Sequence, residues 1–166
     1  MATSLSPYLA RLEIVRSDLV GLRPAIVAGE PWPLAEQFGL EPEASWGPPE
    51  TLAHLAEMYP YWHRQLRSIL AGPAGPVPFG RTQDDPSRLD AIERDRLLPA
   101  AELVVRIDAS IEPLLRLLAE LTDDDAARVG LHPVRGEMTI PAILERMVVG
   151  HGEEHVVQLR DALAGA

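Results

Sequence analysis

Apolar residues recur at helical spacing in four long segments of this chain, and no segment shows convincing alternation at strand spacing. The first runs from about Ser4 to Ala28, with Leu5, Leu9, Leu12, Leu19, Leu22 and Ile26 on one side. Pro24 is expected to kink or shorten it. The second starts near Pro48 and Pro49, where proline suits a first helical turn, and carries Leu52, Leu55, Tyr59, Trp62, Leu66 and Ile69, with a bend expected at Pro60. The third runs from about Pro99 to Leu121, with Leu103, Val104, Ile107, Ile111, Leu114, Leu115 and Leu118 and an internal Pro113. The fourth opens at Thr139, a good N-cap, and continues to about Leu163. Each stripe must be buried against another element. Four such stripes in 166 residues predict an all-α fold, a four-helix bundle formed by one domain over residues 1–166.

The connections differ in character. A Pro-rich stretch leads through Pro31, Pro33 and Pro42 to Trp46. Residues 71–80 (AGPAGPVPFG) cannot be helical and open a long connection to about Arg96, with one short turn expected around Leu89 to Arg94. No internal repeat is visible.

Composition narrows the function classes. The net charge of −10 argues against nucleic acid and against anionic membrane surfaces, both of which call for clustered positive charge. All 15 basic residues are arginine, so no lysine-based Schiff-base chemistry is available. With the Ala, Pro and Gly content, this suggests a GC-rich bacterial genome. The absence of cysteine removes disulfides and thiolate ligands; any thiol chemistry needs a small-molecule thiol. No basic segment followed by an apolar run marks a signal peptide, and no apolar run reaches membrane-spanning length, so a cytoplasmic location is expected.

The fourth segment carries the chemistry. His151 and His155 lie one turn apart, in phase with Ile140, Leu144, Met147 and Val148, so their imidazoles project side by side from the apolar face. Burying two imidazoles is costly unless their nitrogens find partners, and a transition metal is one such partner. A zinc-type site needs at least three protein ligands. His54, on the flank of the second stripe, is the best third candidate. Rise alone tests it. At ~1.5 Å per residue, His54 lies ~9 Å from the start of its helix and His155 ~12 Å from the end of the fourth. They share a level only if these two helices are antiparallel. The long 71–96 connection can cross the bundle, which makes the order up-down-down-up. His63 is expected to face solvent, and His132 to serve a turn before the fourth helix.

Two competing motifs fail. His151 to His155 fits HxxEH, an inverted zinc-protease pattern with Glu154 as base, but such a site calls for a further carboxylate ligand well downstream and eleven residues follow His155, so this reading is not the expected one. A di-iron site needs Glu-x-x-His pairs; here the order is reversed in His54-x-x-Glu57 and His151-x-x-Glu154. Glu57 and Glu154 are better read as partners of the imidazoles or as solvated residues.

Several pieces in order resemble the DinB/YfiT-like superfamily: Trp46 leading into Thr51-Leu52-Ala53-His54-Leu55, then Leu121-Thr122-Asp123-Asp124-Asp125, then His132 to Ile140, then His151-Gly152-Glu153-Glu154-His155-Val156-Val157-Gln158-Leu159. The resemblance spans most of the chain. It implies a divalent metal, such as zinc, nickel or iron, held by three histidines that match His54, His151 and His155. Some relatives are metal-dependent transferases or isomerases using glutathione, mycothiol or bacillithiol. The expectation is therefore a metal-dependent hydrolase or low-molecular-weight-thiol transferase acting on a small molecule. The alternative is a non-catalytic metal-binding or stress-response module, with a homodimer as the expected assembly.

Overall fold

The computed structural model describes residues 3–36, 38–39 and 42–166; Met1, Ala2, Gln37, Leu40 and Glu41 lie outside them. In chain order the elements are α1 (Ser6–Ala28), a 3₁₀ turn (Glu43–Ser45), α2 (Pro48–Ala71), β1 (Val77–Pro78), α3 (Pro86–Asp95), α4 (Ala100–Glu120), α5 (Asp123–Ala126), β2 (Val129–His132) and β3 (Gly136–Thr139). The last bundle helix comes in three consecutive pieces: α6 (Ile140–Ile143), a π-helical turn (Leu144–Val148) and α7 (Val149–Ala164). No helix among the described residues is long and apolar enough to cross a membrane.

The helix starts follow local chemistry. Pro48 and Pro49 occupy the first turn of α2, where a missing N–H costs nothing. Thr139 caps α6 by accepting from the Ala142 amide, and Thr122 and Asp125 form a reciprocal capping box on α5. α1, α2 and α4 run through Pro24, Pro60 and Pro113, so α1 is not shortened by its proline.

Contacts along the seams give the direction of each helix. Against α1, the partners in α4 fall in number as α1 rises: Asp123, just past α4, accepts from the Ser4 amide, Arg16 pairs with Asp108 and Glu112, and Glu30 accepts from the Ala100 amide. Those two helices are antiparallel. α7 runs parallel to α1, since Arg11 binds Glu145 and Glu153 while Asp18 binds Arg160. Between α2 and α7 the numbers run oppositely: the Trp46 carbonyl accepts from Gln158, His54 meets His151, and Tyr59 abuts Gly152. Clefts that join Leu52 to Leu103, and Arg67 to Arg116, align α2 with α4. The bundle is therefore up-down-down-up, and α2 and α7 are antiparallel as the histidine levels require. The core is continuous across all four helices, from Leu12, Val15 and Leu19 through Leu55 and Leu66 to Ile107, Ile111, Val156 and Leu159.

Two features depart from the expectation of bare helices and loops. The connection after α2 contains a full helix, α3, capped by Asp85, which accepts from the Arg88 amide ahead of Pro86. The segment before the last helix forms a small sheet, in which β1 pairs parallel with β2 and β2 antiparallel with β3. Arg128, leading into β2, donates to the carbonyls of Ile69, Gly72 and Pro73. It thereby satisfies the orphan acceptors at the end of α2 and ties the sheet to the bundle.

Candidate metal centre

His54 sits two turns into α2, buried, with the Trp46 ring edge-on at 5.8 Å between centroids. His151 and His155 lie on α7, after the π turn. There the Val149 amide bonds to the Leu144 carbonyl, five residues back. The extra residue rotates everything beyond it, so the buried face becomes Val149, Gly152, His155, Val156 and Leu159. His155 points into the bundle, whereas His151 lies at the edge and opens to a cleft. Two close approaches make this helix possible. A Cβ at Gly150 would stand 2.1 Å from the Glu145 carbonyl oxygen, and one at Gly152 would stand 2.3 Å from the Tyr59 hydroxyl. Neither distance is tolerable for a side-chain carbon, so glycine lets the turn form and lets α7 lie close on α2.

The three imidazoles converge. His54 Nε2 and His155 Nε2 each lie 3.1 Å from His151 Nε2. The Glu43 carboxylate, on the 3₁₀ turn, brings Oε2 to 3.3 Å from His151 Nε2, 3.8 Å from His155 Nε2 and 3.9 Å from His54 Nε2. One ligand atom from each of these four residues falls within 4.8 Å of the others. Every other ring nitrogen faces an acceptor: His54 Nδ1 lies 3.1 Å from Glu57, His151 Nδ1 3.4 Å from Glu154, and His155 Nδ1 2.9 Å from Gln158 Oε1. Gln158 cannot turn round, because its amide nitrogen donates to the Glu43 and Trp46 carbonyls. With the protons on Nδ1, three Nε2 lone pairs and a carboxylate oxygen face one another. That is repulsive on its own and favourable around a cation.

The spacing fits such a cation. With metal–nitrogen bonds of about 2.0–2.1 Å, two ligand nitrogens are ~2.9 Å apart at a right angle and ~3.4 Å apart at the tetrahedral angle. The observed 3.1 Å separations fall between.

Burial disfavours protonation of two of the three rings. Burial lowers His54 well below the ordinary range, helped by the neighbouring His155. Burial, then His151, brings His155 down to about 4. Burial alone would raise Glu43, but the adjoining His151 ring, then His54 and the Arg88 guanidinium, hold it down at about 2. Arg88 is itself buried, and its guanidinium binds Glu43 and the Gln83 carbonyl. Burial pushes Glu57 up, and the Arg81 guanidinium bonded to it opposes that.

A cavity of about 590 Å³ opens beside the cluster, with Glu43, His54 and His151 in its wall. The other two histidines stand apart. His132 ends β2, and its Nδ1 accepts from the Val134 and Arg135 amides, the expected turn role, while its ring lines this cavity. His63, expected at the surface, is half-buried beside Arg67 and Arg116 in a separate cleft. The residue that sequence reasoning missed is Glu43. It lies in the Pro-rich connection, outside any helical stripe, and no spacing rule joins it to His54 or His151. Its nearest signal is its place three residues before Trp46.

A family model described as the DinB superfamily matches residues 10–159. No curated protein matches the chain. Among solved structures, the chain is similar to YfiT from Bacillus subtilis, described as a probable metal-dependent hydrolase with an unusual four-helix bundle topology. The two are 15% identical, with a TM-score of 0.74 over 99% of this chain and 90% of that one. The likeness is one of fold.

Proposed function

The chain belongs to the DinB superfamily, and we propose that it is a divalent-metal-dependent enzyme, a hydrolase of small molecules, with the metal held by His54, His151, His155 and Glu43. The observation that carries this reading is the convergence of three Nε2 atoms whose Nδ1 partners are already engaged. A divalent cation there would supply Lewis acidity, lowering the pKa of a water or thiol and polarising the bond to be broken. The protein's own groups do the rest. Glu57, Glu154 and Gln158 orient the rings. Arg88 holds the Glu43 carboxylate in place. The burial of His54 and His155 favours their neutral imidazoles, which leaves each Nε2 lone pair free for a metal.

The cavity favours an enzyme over a module that merely stores metal, because it leads from solvent to the edge where His151 sits. A thiol transferase is the second reading, supported by the cysteine-free chain: a thiolate nucleophile would have to arrive with a small-molecule thiol. The experiment is turnover of the metal-loaded protein on ester, amide and electrophilic substrates, with and without added glutathione, mycothiol or bacillithiol. Turnover without thiol supports hydrolysis, and turnover only with thiol supports transfer. No turnover by either route, in protein with full metal content, returns the non-catalytic module.

A further inference from the structure

The cavity beside the donor cluster has the opposite charge to the molecule around it. The chain carries a net charge of −10, yet Arg81, Arg88, Arg135 and Arg146 all line this cavity, and Glu43 is the only carboxylate that does so among the described residues. Two of the four arginines are committed. Arg88 binds Glu43, and Arg81 binds Glu57 while stacking 3.8 Å over the Tyr61 ring. Arg135, on the turn between β2 and β3, and Arg146, on the π turn, have no carboxylate within 4.0 Å and no side-chain hydrogen bond among the described residues. The neighbouring cleft that Arg135 and Arg146 also line holds Glu145 and Glu153, both bound at 2.6 Å by Arg11 of α1, Glu43, bound by Arg88, and Glu154, which lies 3.4 Å from His151 Nδ1. Trp62, Val134 and Met147 give the same cavity an apolar wall.

Exposed arginines are ordinary when scattered. Here two with no carboxylate partner among the described residues share a cavity with Glu43, His54 and His151, and Arg146 reaches it from the π turn that also precedes the ligand helix. Turns of this kind are frequent at functional sites. A guanidinium presents a planar fork that matches a carboxylate or a phosphate, and a cleft of one sign concentrates ligands of the other. We infer that the cavity takes an anionic substrate, a carboxylate or phosphate monoester on an apolar body, with Arg135 and Arg146 binding the anion while the reacting bond faces the histidine cluster. This rests on the metal-enzyme reading above and adds the substrate class.

The test uses the zinc-loaded full chain and three probes of matched shape: phenylacetate, phenyl phosphate and the neutral phenylacetamide. Calorimetric titration compares the parent with Arg135→Gln, Arg146→Gln and the double variant, and elemental analysis gives the zinc content of each sample. The parent should bind at least one anion about tenfold or more tightly than the amide, with affinity falling as salt rises. Each single variant should lose roughly tenfold for that anion and the double variant more, with zinc unchanged and amide binding unaffected. The better of the two anions identifies the head group. Equal anion binding by the parent and the double variant would place the anion on the metal alone and overturn the proposal, as would a parent that does not prefer anion to amide. The two readings fail separately: a parent without zinc that keeps the arginine-dependent preference loses the metal but retains the anion site, whereas full zinc without the preference does the reverse.

Discussion

The seam between α1 and α4 and the seam between α2 and α7 are built from similar amphipathic helices and do opposite work. On the first, α1 and α4 pack with Leu12, Leu19 and Ile26 of the one and Leu103, Ile107, Ile111 and Leu114 of the other all buried, none more than 1% exposed. Its charges stay on the rim, where Arg16 reaches Asp108 and Glu112. On the second, buried places go to His54 and His155, with the half-buried His151 and Gln158 beside them and Glu43 brought in from outside the helices. Burying those nitrogens opposes folding unless a partner compensates. The dry seam therefore carries stability, the polar seam carries the chemistry on the reading proposed above, and substitutions should separate the two.

The largest effect is expected at the ligands. His151→Ala or His155→Ala should abolish stoichiometric metal binding, a greater loss than the ~10–100-fold that outer partners command, while the metal-free protein stays folded. His63→Ala and His132→Ala should keep their metal. Elemental analysis of purified variants decides this, and full metal in His151→Ala would remove the site. The converse substitution lies on the dry seam. Ile111→Ala should lower stability by about 2–5 kcal/mol, the cost of an unfilled core cavity, without changing the metal-to-protein ratio. Denaturant unfolding and elemental analysis on the same sample would show whether the seams are as separable as their chemistry implies.

The same contrast explains what was legible in the sequence. The dry seam was plain because an apolar stripe at helical spacing has one way to be buried. The histidines were legible because i and i+4 must share a face, and the rise per residue then required α2 and α7 to be antiparallel. The remaining parts depend on contacts distant in sequence or on an irregular backbone. Glu43 reaches the site from a connection with no periodicity. The π turn shifts the face of α7 by one residue, so His151 opens to the cleft although its spacing matched the buried stripe. The sheet left no apolar alternation to read: the buried residues of β2 are Gly130, packed under Phe79 and Ile69, and the polar His132, and β3 buries only Met138. α3 did carry a signal, Asp85 before Pro86, which was overshadowed by the proline-rich run ahead of it.

Acid should distinguish the seams next. In the metal-free protein the folded state holds His155 at about 4 against an ordinary 6.5, and His54 is lowered as well. The unfolded chain therefore binds more protons in this window, and stability rises with pH. The contribution of His155 is fully present above 6.5 and is lost as pH falls through 6.5 towards 4. At ~1.36 kcal/mol per pH unit this is on the order of 3 kcal/mol. His155→Phe should flatten that part of the profile, whereas Ile111→Ala should lower the whole curve and leave its shape unchanged. Urea titrations of chelator-treated protein between pH 7 and 4 provide the check. A parent curve as flat as that of His155→Phe would mean that His155 is not buried in its neutral form.

The smallest effect compares two acidic side chains that both pair with arginine, one on each seam. Glu57 is nearly covered and joins His54 Nδ1 at 3.1 Å to the Arg81 guanidinium. Asp108 binds Arg16 at 2.6 Å on a half-open rim. A pair of the second kind contributes about 0–1 kcal/mol, because water screens it and the side chains lose freedom in forming it. Asp108→Asn should thus change stability by no more than that and leave metal affinity unaltered. Glu57→Gln is nearly isosteric and can still accept a hydrogen bond from His54. It removes the negative charge that makes the ring more basic and leaves Arg81 facing a neutral amide. Metal binding should weaken by roughly 10–100-fold, in the range for outer partners of ligating histidines, with the same stoichiometry. Competition against a chromophoric chelator measures both variants on one scale. If Glu57→Gln binds zinc as tightly as Asp108→Asn, then Glu57 serves only to hold Arg81, and the orientation of His54 is due to its packing against Trp46.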